Sequence, residues 1–214
     1  MTASKESIHA ALVECHQFAS GDGVRLGDML DRLGRSGFCF AALLLSAPFI
    51  QPFSLGPLTM IGGLTFMAIG WQMGTGRPHP VLPKSACELR IHGKGWVAML
   101  GFCLRLLKFC RRFTRPRCES WVSGEWGERF VGWLILAGGA LLAVPVANLP
   151  LNNTLPAFMI VFACIGWLER DGLMVIVSMA WGVATLVYFS IVALALIFFG
   201  NEIFAWLGSF WGTK

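Results

Sequence analysis

Charge is scarce in this sequence. Only 14% of its 214 residues are Asp, Glu, Lys or Arg, against about 25% in a soluble domain, which excludes an ordinary solvated surface. Metal-ligand spacing is missing too. His9, His16, His79 and His92 form no H-x-x-x-H pattern, and no two of the seven cysteines have C-x-x-C spacing. Cys15, Cys39, Cys87, Cys103, Cys110, Cys118 and Cys164 therefore read as small apolar side chains rather than metal or redox groups. There is no Gly-x-Ser-x-Gly elbow, phosphate loop or clustered His/Asp set. An acid–base pair could come only from Glu169 and Asp171, which flank Arg170 and suit a structural ion cluster. No enzyme activity, cofactor or metal is expected. Residues 1–35 lack a cleavable signal; they are polar and carry Lys5, Glu6, Glu14, Asp22, Arg25, Asp28, Asp31, Arg32 and Arg35. The N-terminus is expected to stay on the cytoplasmic side.

Hydrophobic residues make up 56% of the chain, with seventeen Phe and nine Trp. The mean hydropathy is +0.65. This composition predicts an all-α integral membrane protein. Its most telling interruption is LPLNNTLP at 149–156, set between the apolar runs 131–144 and 157–168. Proline removes a backbone donor and biases the preceding residue out of the α region. In hydrocarbon the freed backbone groups need a protein or water partner. The turn therefore lies either at a membrane surface or against protein inside the bilayer.

Residues 1–36 predict a cytoplasmic cap of two short amphipathic helices. Ile8, Ala11, Leu12, Cys15 and Phe18 form one stripe, and Leu26, Met29, Leu30 and Leu33 another. The first hairpin is placed at 37–83. Its apolar run 38–50 reaches roughly 20 Å, short of a hydrocarbon core of roughly 30 Å. Pro48, Pro52 and Pro57 follow, then the run 58–73. This fits a hairpin that turns inside the bilayer, or two short helices with a turn at the far surface. Between Arg77 and Arg129 lie eleven Lys/Arg against four Glu, which places the segment 84–129 on the cytoplasmic face. Arg105, Lys108, Arg112 and Arg115 recur on one helical stripe there, as in a helix lying among lipid headgroups. A purely topogenic anchor is the alternative. A second hairpin spans 130–171. A long transmembrane helix and an interfacial tail with Trp206 and Trp211 occupy 172–214, with Gly182 a candidate bend.

The two hairpins share an order: a short run, a Pro-rich turn, a second run, a Gly-Trp pair and a charged exit. The turns are Pro48/Pro52/Pro57 and Pro145/Pro150/Pro156; the pairs are Gly70-Trp71 and Gly166-Trp167; the exits are Arg77 and Arg170. Paired Pro/Gly-broken segments in corresponding halves are a pointer to a transporter site near the midplane. Whether the repeats are inverted is not legible from the charges.

Across nearly the whole chain, LGDMLDRLGRSG at 26–37, the Pro48–Pro57 turn, QMGTGR at 72–77 with Leu82-Pro83, NTLP at 153–156 and Arg170-Asp171-Gly172 occur in family order. They resemble the ExoD-type exopolysaccharide-synthesis membrane proteins. The resemblance implies a bacterial inner-membrane, multi-pass protein of exopolysaccharide production, and names a process rather than a reaction.

From the residues themselves, Asn152, Asn153 and Thr154, faced by Gln51, Ser54 and Thr59, are the expected substrate-binding groups. Asn153 or Thr154 capping the next helix is the plainer alternative. Arg77, Glu169, Arg170 and Asp171 are expected as a charged exit cluster, pairing among themselves or solvated. One function expected is a transporter or scramblase of a lipid or lipid-linked polar substrate. The other is a non-transporting scaffold of polysaccharide assembly, supported by the small-residue faces Gly70/Gly74 and Gly139/Ala143/Ala147. Expected partners are membrane lipids, lipid-linked glycan or polysaccharide machinery and a second copy of the chain, with no nucleic acid.

Overall fold

The computed structural model describes residues 24–25, 34–51, 56–81, 90–91, 101, 105, 122, 124–144 and 151–211. Among these the fold is helical: α1 Ser36–Ser46, α2 Pro57–Gly74, α3 Gly124–Ala143, α4 Thr154–Glu169 and α5 Gly172–Trp211. One departure from an all-α reading is a two-residue antiparallel ladder, with Val24 opposite Ile91 and Arg25 opposite Arg90. The remainder of the expected N-terminal cap lies outside the described residues.

Each helix end has a local cause. Helix α1 tightens into a 3-10 turn over Ala47–Phe49, where Pro48 and then Pro52 deny backbone donors to the preceding turn. Helix α2 starts with Pro57 in its first turn, where a missing N–H costs nothing. It follows Gly56 at φ +57° and ψ −130°, a conformation open only to glycine. Helix α4 begins at Thr154 rather than near Pro156, because a proline inside the first turn is tolerated. Leu151 ahead of it is held at φ +64°. At the other end of α4 the chain reverses through Arg170 at φ +53°. The Asp171 N–H donates to Gly166 O at 2.9 Å and the Arg170 N–H to Trp167 O at 3.3 Å, the two bonds of a Schellman turn. Asp171 Oδ1 then accepts from the Leu173 N–H at 2.9 Å, capping α5.

Helices α1 to α4 form a four-helix ring in chain order, closed by α1 on α4. The tightest contact joins α2 to α3, and glycine explains it. A Cβ on Gly70 would lie 2.4 Å from Leu136 N, one on Gly63 2.6 Å from Ala143 N, and one on Gly132 2.4 Å from Gly74 N. Every such pair sums to the same register, so the helices run antiparallel with backbones in direct contact, as small residues permit in transmembrane packing. The small-residue faces that sequence offered for association with other molecules (Gly70, Gly74, Gly139 and Ala143) are therefore spent inside the fold. Ala147 lies outside the described residues.

Helices α1 and α4 are the buried members of the ring. Phe38, Cys39, Phe40 and Ala42 on α1, and Ala157, Ile160, Ala163, Cys164 and Ile165 on α4, are fully enclosed. Helix α5 packs outside against α4. Ser178 Oγ donates to Met159 O at 2.7 Å across that contact. Gly182 lies in an unbroken helix, and a Cβ there would meet Met159 Sδ at 3.0 Å; its place is a packing site in continuous helix. The segment Gly172–Ala195 is long and apolar enough to cross a membrane. Its outward stripe is Leu173, Ile176, Met179, Val183, Leu186, Val187, Ile191 and Leu194. The side chains of Trp206 and Trp211 lie outside the described residues.

Candidate functional site

Because neighbouring helices in the ring run antiparallel, both Pro-rich turns fall at one end of the bundle. Their meeting is direct: Thr154 Oγ1 donates to Gln51 O at 3.0 Å. Gln51 itself is exposed. The polar groups beside it are not: Asn153 is 1% exposed, Asn152 6%, Thr154 7% and Thr59 7%. With Ser46, whose hydroxyl donates to Leu43 O at 2.7 Å, five buried polar side chains thus lie at the Pro-turn end of the ring. Asn153 occupies the N-cap position of α4 yet makes no side-chain capping hydrogen bond. Thr154, the first helical residue, spends its hydroxyl on the other turn instead. The plain capping alternative is thereby replaced by a contact between the turns. Thr59 sits one helical turn before Gly63, the glycine that touches Ala143 near the end of α3. Its Oγ1 has no hydrogen-bond partner among the described residues. Ser54 lies outside them.

The opposite end carries the charges. Arg35, before α1, and Glu128, in the second turn of α3, form an ion pair with Nη1 to Oε2 at 2.9 Å. Glu128 is 3% exposed while the Arg35 side chain is 50% exposed. Burial pushes the Glu128 carboxyl up from its ordinary range, and this outweighs the opposing pull of Arg35. Sequence reasoning passed over Glu128. A carboxylate two residues ahead of an apolar run reads as solvated, and the helix in fact begins four residues before it, at Gly124. The one available signal was its spacing to Val131 and Ile135, which puts Glu128 on the inward face of α3.

The expected exit cluster does not form one solvated group. Asp171 is buried, its carboxylate capping α5, and Arg170 makes the left-handed turn between α4 and α5. Arg77 is exposed beyond α2, where the Arg129 guanidinium lies against Gly76. Gln72 folds the exit back by pairing with Val81 through both side-chain atoms, at 3.2 and 2.7 Å. Trp71 and Trp133 meet edge to face beside this end, centroids 5.6 Å apart. Of the proposed headgroup stripe, Arg105 is exposed and donates to Gly101 O at 3.2 Å, a helical back-bond; Lys108, Arg112 and Arg115 lie outside the described residues. Among the described residues no cluster of His, Cys, Asp and Glu fits a metal.

The family model described as "Exopolysaccharide synthesis, ExoD" matches residues 8–191 of this chain. Among curated proteins the chain is similar to "Protein ExoD" of Rhizobium meliloti (strain 1021), with 32% identity over 192 residues, covering 90% of this chain and 80% of that protein. No solved structure matches.

Proposed function

This chain belongs to the ExoD family of exopolysaccharide synthesis, and from that premise we propose that it is a transporter or scramblase of a lipid or lipid-linked polar substrate. The observation that carries the proposal is the meeting of two Pro-broken turns through Thr154 and Gln51. Buried polar groups at Asn152, Asn153, Thr154 and Thr59 stand around that meeting. Polar side chains in an apolar interior are costly without a reason to be there. In membrane transporters the ends of broken helices are where anionic substrate groups and coupling ions are held. The two hairpins are read as a parallel repeat, α1 corresponding to α3 and α2 to α4.

The proposed setting is a bacterial inner membrane, crossed several times. The outward apolar stripes of α2 (Leu58, Ile61, Leu64) and α5 face lipid. The end bearing Arg35, Arg77 and Arg129 faces the cytoplasm by the positive-inside rule, with Trp71 and Trp133 at the interface. Helix α1 with its 3-10 turn, and α4, reach only about 20–24 Å at 1.5 Å per residue. The Pro-rich turns then lie below the far membrane surface in the manner of re-entrant segments, with Asn152, Asn153 and Thr154 buried in protein. No catalytic step is proposed. The scaffold alternative loses the glycine faces that supported it, since these hold α2 to α3.

The test is reconstitution of the full chain in liposomes carrying a labelled anionic phospholipid or a polyprenyl-phosphate sugar, with translocation read by a membrane-impermeant quencher. The expected result is movement of one of these that falls at least several-fold in Asn153→Ala. A folded, reconstituted protein that neither binds nor moves either probe defeats the proposal. Thiol labelling checks the placement of the pocket: exposed Gln51→Cys is expected to react and buried Asn153→Cys to be protected, with substrate slowing the reaction at Gln51→Cys.

A further inference from the structure

We propose that Glu128 is a proton-binding site whose protonation releases Arg35 and unlatches the charged end of the bundle. Four observations carry this. Helices α1 and α3 stand diagonally across the ring, so the Arg35–Glu128 pair at 2.9 Å is a strap over its mouth and not a contact between neighbours. The carboxylate is 97% enclosed by its 3% exposure, whereas the guanidinium is half in water, so Arg35 can leave at little cost while Glu128 cannot. Glu128 Oε1 has no hydrogen-bond partner among the described residues and is the oxygen open to a proton. At the other end of the ring Thr154 and Gln51 join the two turns by a hydrogen bond, so each end carries a polar tie between distant elements.

The chemistry balances simply. A proton from water adds to Glu128 Oε1, one O–H bond forms, the carboxylate becomes neutral, and Arg35 loses its counter-charge and returns to solvent. Glu125 and Arg129 on its own helix and Arg35 before α1 bear on its charge, and Cys39 on α1 lies within its electrostatic reach. Among the described residues, Arg77 and His79 after α2, and Glu169, Arg170 and Asp171 at the α4–α5 junction, are the other ionisable groups toward this end. Desolvation of a carboxylate favours its neutral form and one arginine only partly offsets it, so proton binding falls above the ordinary range of a glutamate. As a gate for substrate this rests on the transporter reading; as a proton site it does not.

The experiment is a pH titration of the full chain in nanodiscs with two readouts. Infrared difference spectra follow the protonated carboxyl, and spin labels at Ser36 and Trp126 follow the α1–α3 separation. The expected results are a carboxyl band that disappears as pH rises above the free-glutamate range and is missing in Glu128→Gln, together with a separation that is longer in acid. Arg35→Gln is expected to move the midpoint up by about 1–3 pH units. Should Glu128→Gln fail to fold, the wild-type titration and Arg35→Gln decide alone. A band unchanged in Glu128→Gln, or a midpoint unmoved in Arg35→Gln, overturns the proton site. A separation constant with pH overturns the latch. Absence of lipid movement alongside both expected changes would instead defeat the transporter reading and leave the latch standing.

Discussion

Thr154 and Gln51 stand 103 positions apart in the chain, and the Thr154 hydroxyl donates to the Gln51 carbonyl at 3.0 Å. That carbonyl immediately precedes Pro52, at a point where the chain has left the helix and the carbonyl has no helical donor ahead of it. The acceptor exists because proline stopped one helix, and the donor is placed by the start of another. One hydrogen bond therefore joins the two Pro-rich turns at their common end of the bundle.

Thr154→Val keeps the shape and removes the donor. It is expected to cost about 0.5–1 kcal/mol, lowering the thermal midpoint in detergent by roughly 1–4 °C, while Thr154→Ser retains the bond and most of the stability. Equal midpoints for Thr154→Val and wild type would mean the contact contributes nothing.

The α2–α3 seam should tolerate no added carbon. Gly70→Ala puts a methyl 2.4 Å from Leu136 N, and Gly139→Ala one 2.7 Å from Met67 N. Both neighbours are backbone and cannot swing aside. Each substitution is expected to cost roughly 1–3 kcal/mol, read as a lower midpoint in thermal or detergent unfolding. Leu64→Ala, on the exposed face of the same helix, should cost distinctly less. If Leu64→Ala is the more damaging, the seam is not where the two helices are held.

Glu128 sets a pH dependence whose sign follows from its raised carboxyl. A glutamate that binds its proton more tightly when folded adds stability that is fully present below the ordinary value of 4.5. That contribution is lost as pH rises through the folded value. Wild type minus Glu128→Gln should therefore become less favourable to wild type between acid and neutral pH, with Glu128→Gln at least as stable near neutrality. Midpoints measured across that range for both proteins decide the matter; a difference that grows in favour of wild type as pH rises sinks it, since the ion pair would then outweigh the burial.

Much of the helical layout was legible because its causes are local. The runs at 38–50 and 58–73 became α1 with its 3-10 turn and α2, since Pro48, Pro52 and Pro57 can only interrupt a helix where they stand. The start of α3 was placed late because Glu125, Glu128 and Arg129 looked like the charged rim of a membrane segment. They are the first turns of the helix itself, two of them outward and one turned in. The charged exit was half legible: the break between 130–171 and 172–214 was placed, but Asp171 was read as an ion-pair partner or a solvated end and is a buried cap. Its burial depends on how α5 folds back over α4.

By itself the sequence determined where the helices α1, α2, α4 and α5 lie and where prolines break them, and that 172–195 is apolar enough to cross a membrane. Those properties follow from proline geometry, residue spacing and the transfer energy of side chains, all readable within a few residues. Only the tertiary structure decided that Gly70 meets Leu136, that both Pro-rich turns share one end so Thr154 reaches Gln51, and that Glu128 is enclosed with Arg35 as its counter-ion. Each of these joins residues from distant parts of the chain. Contacts of that kind are set by which helix packs against which, and no local pattern carries that information.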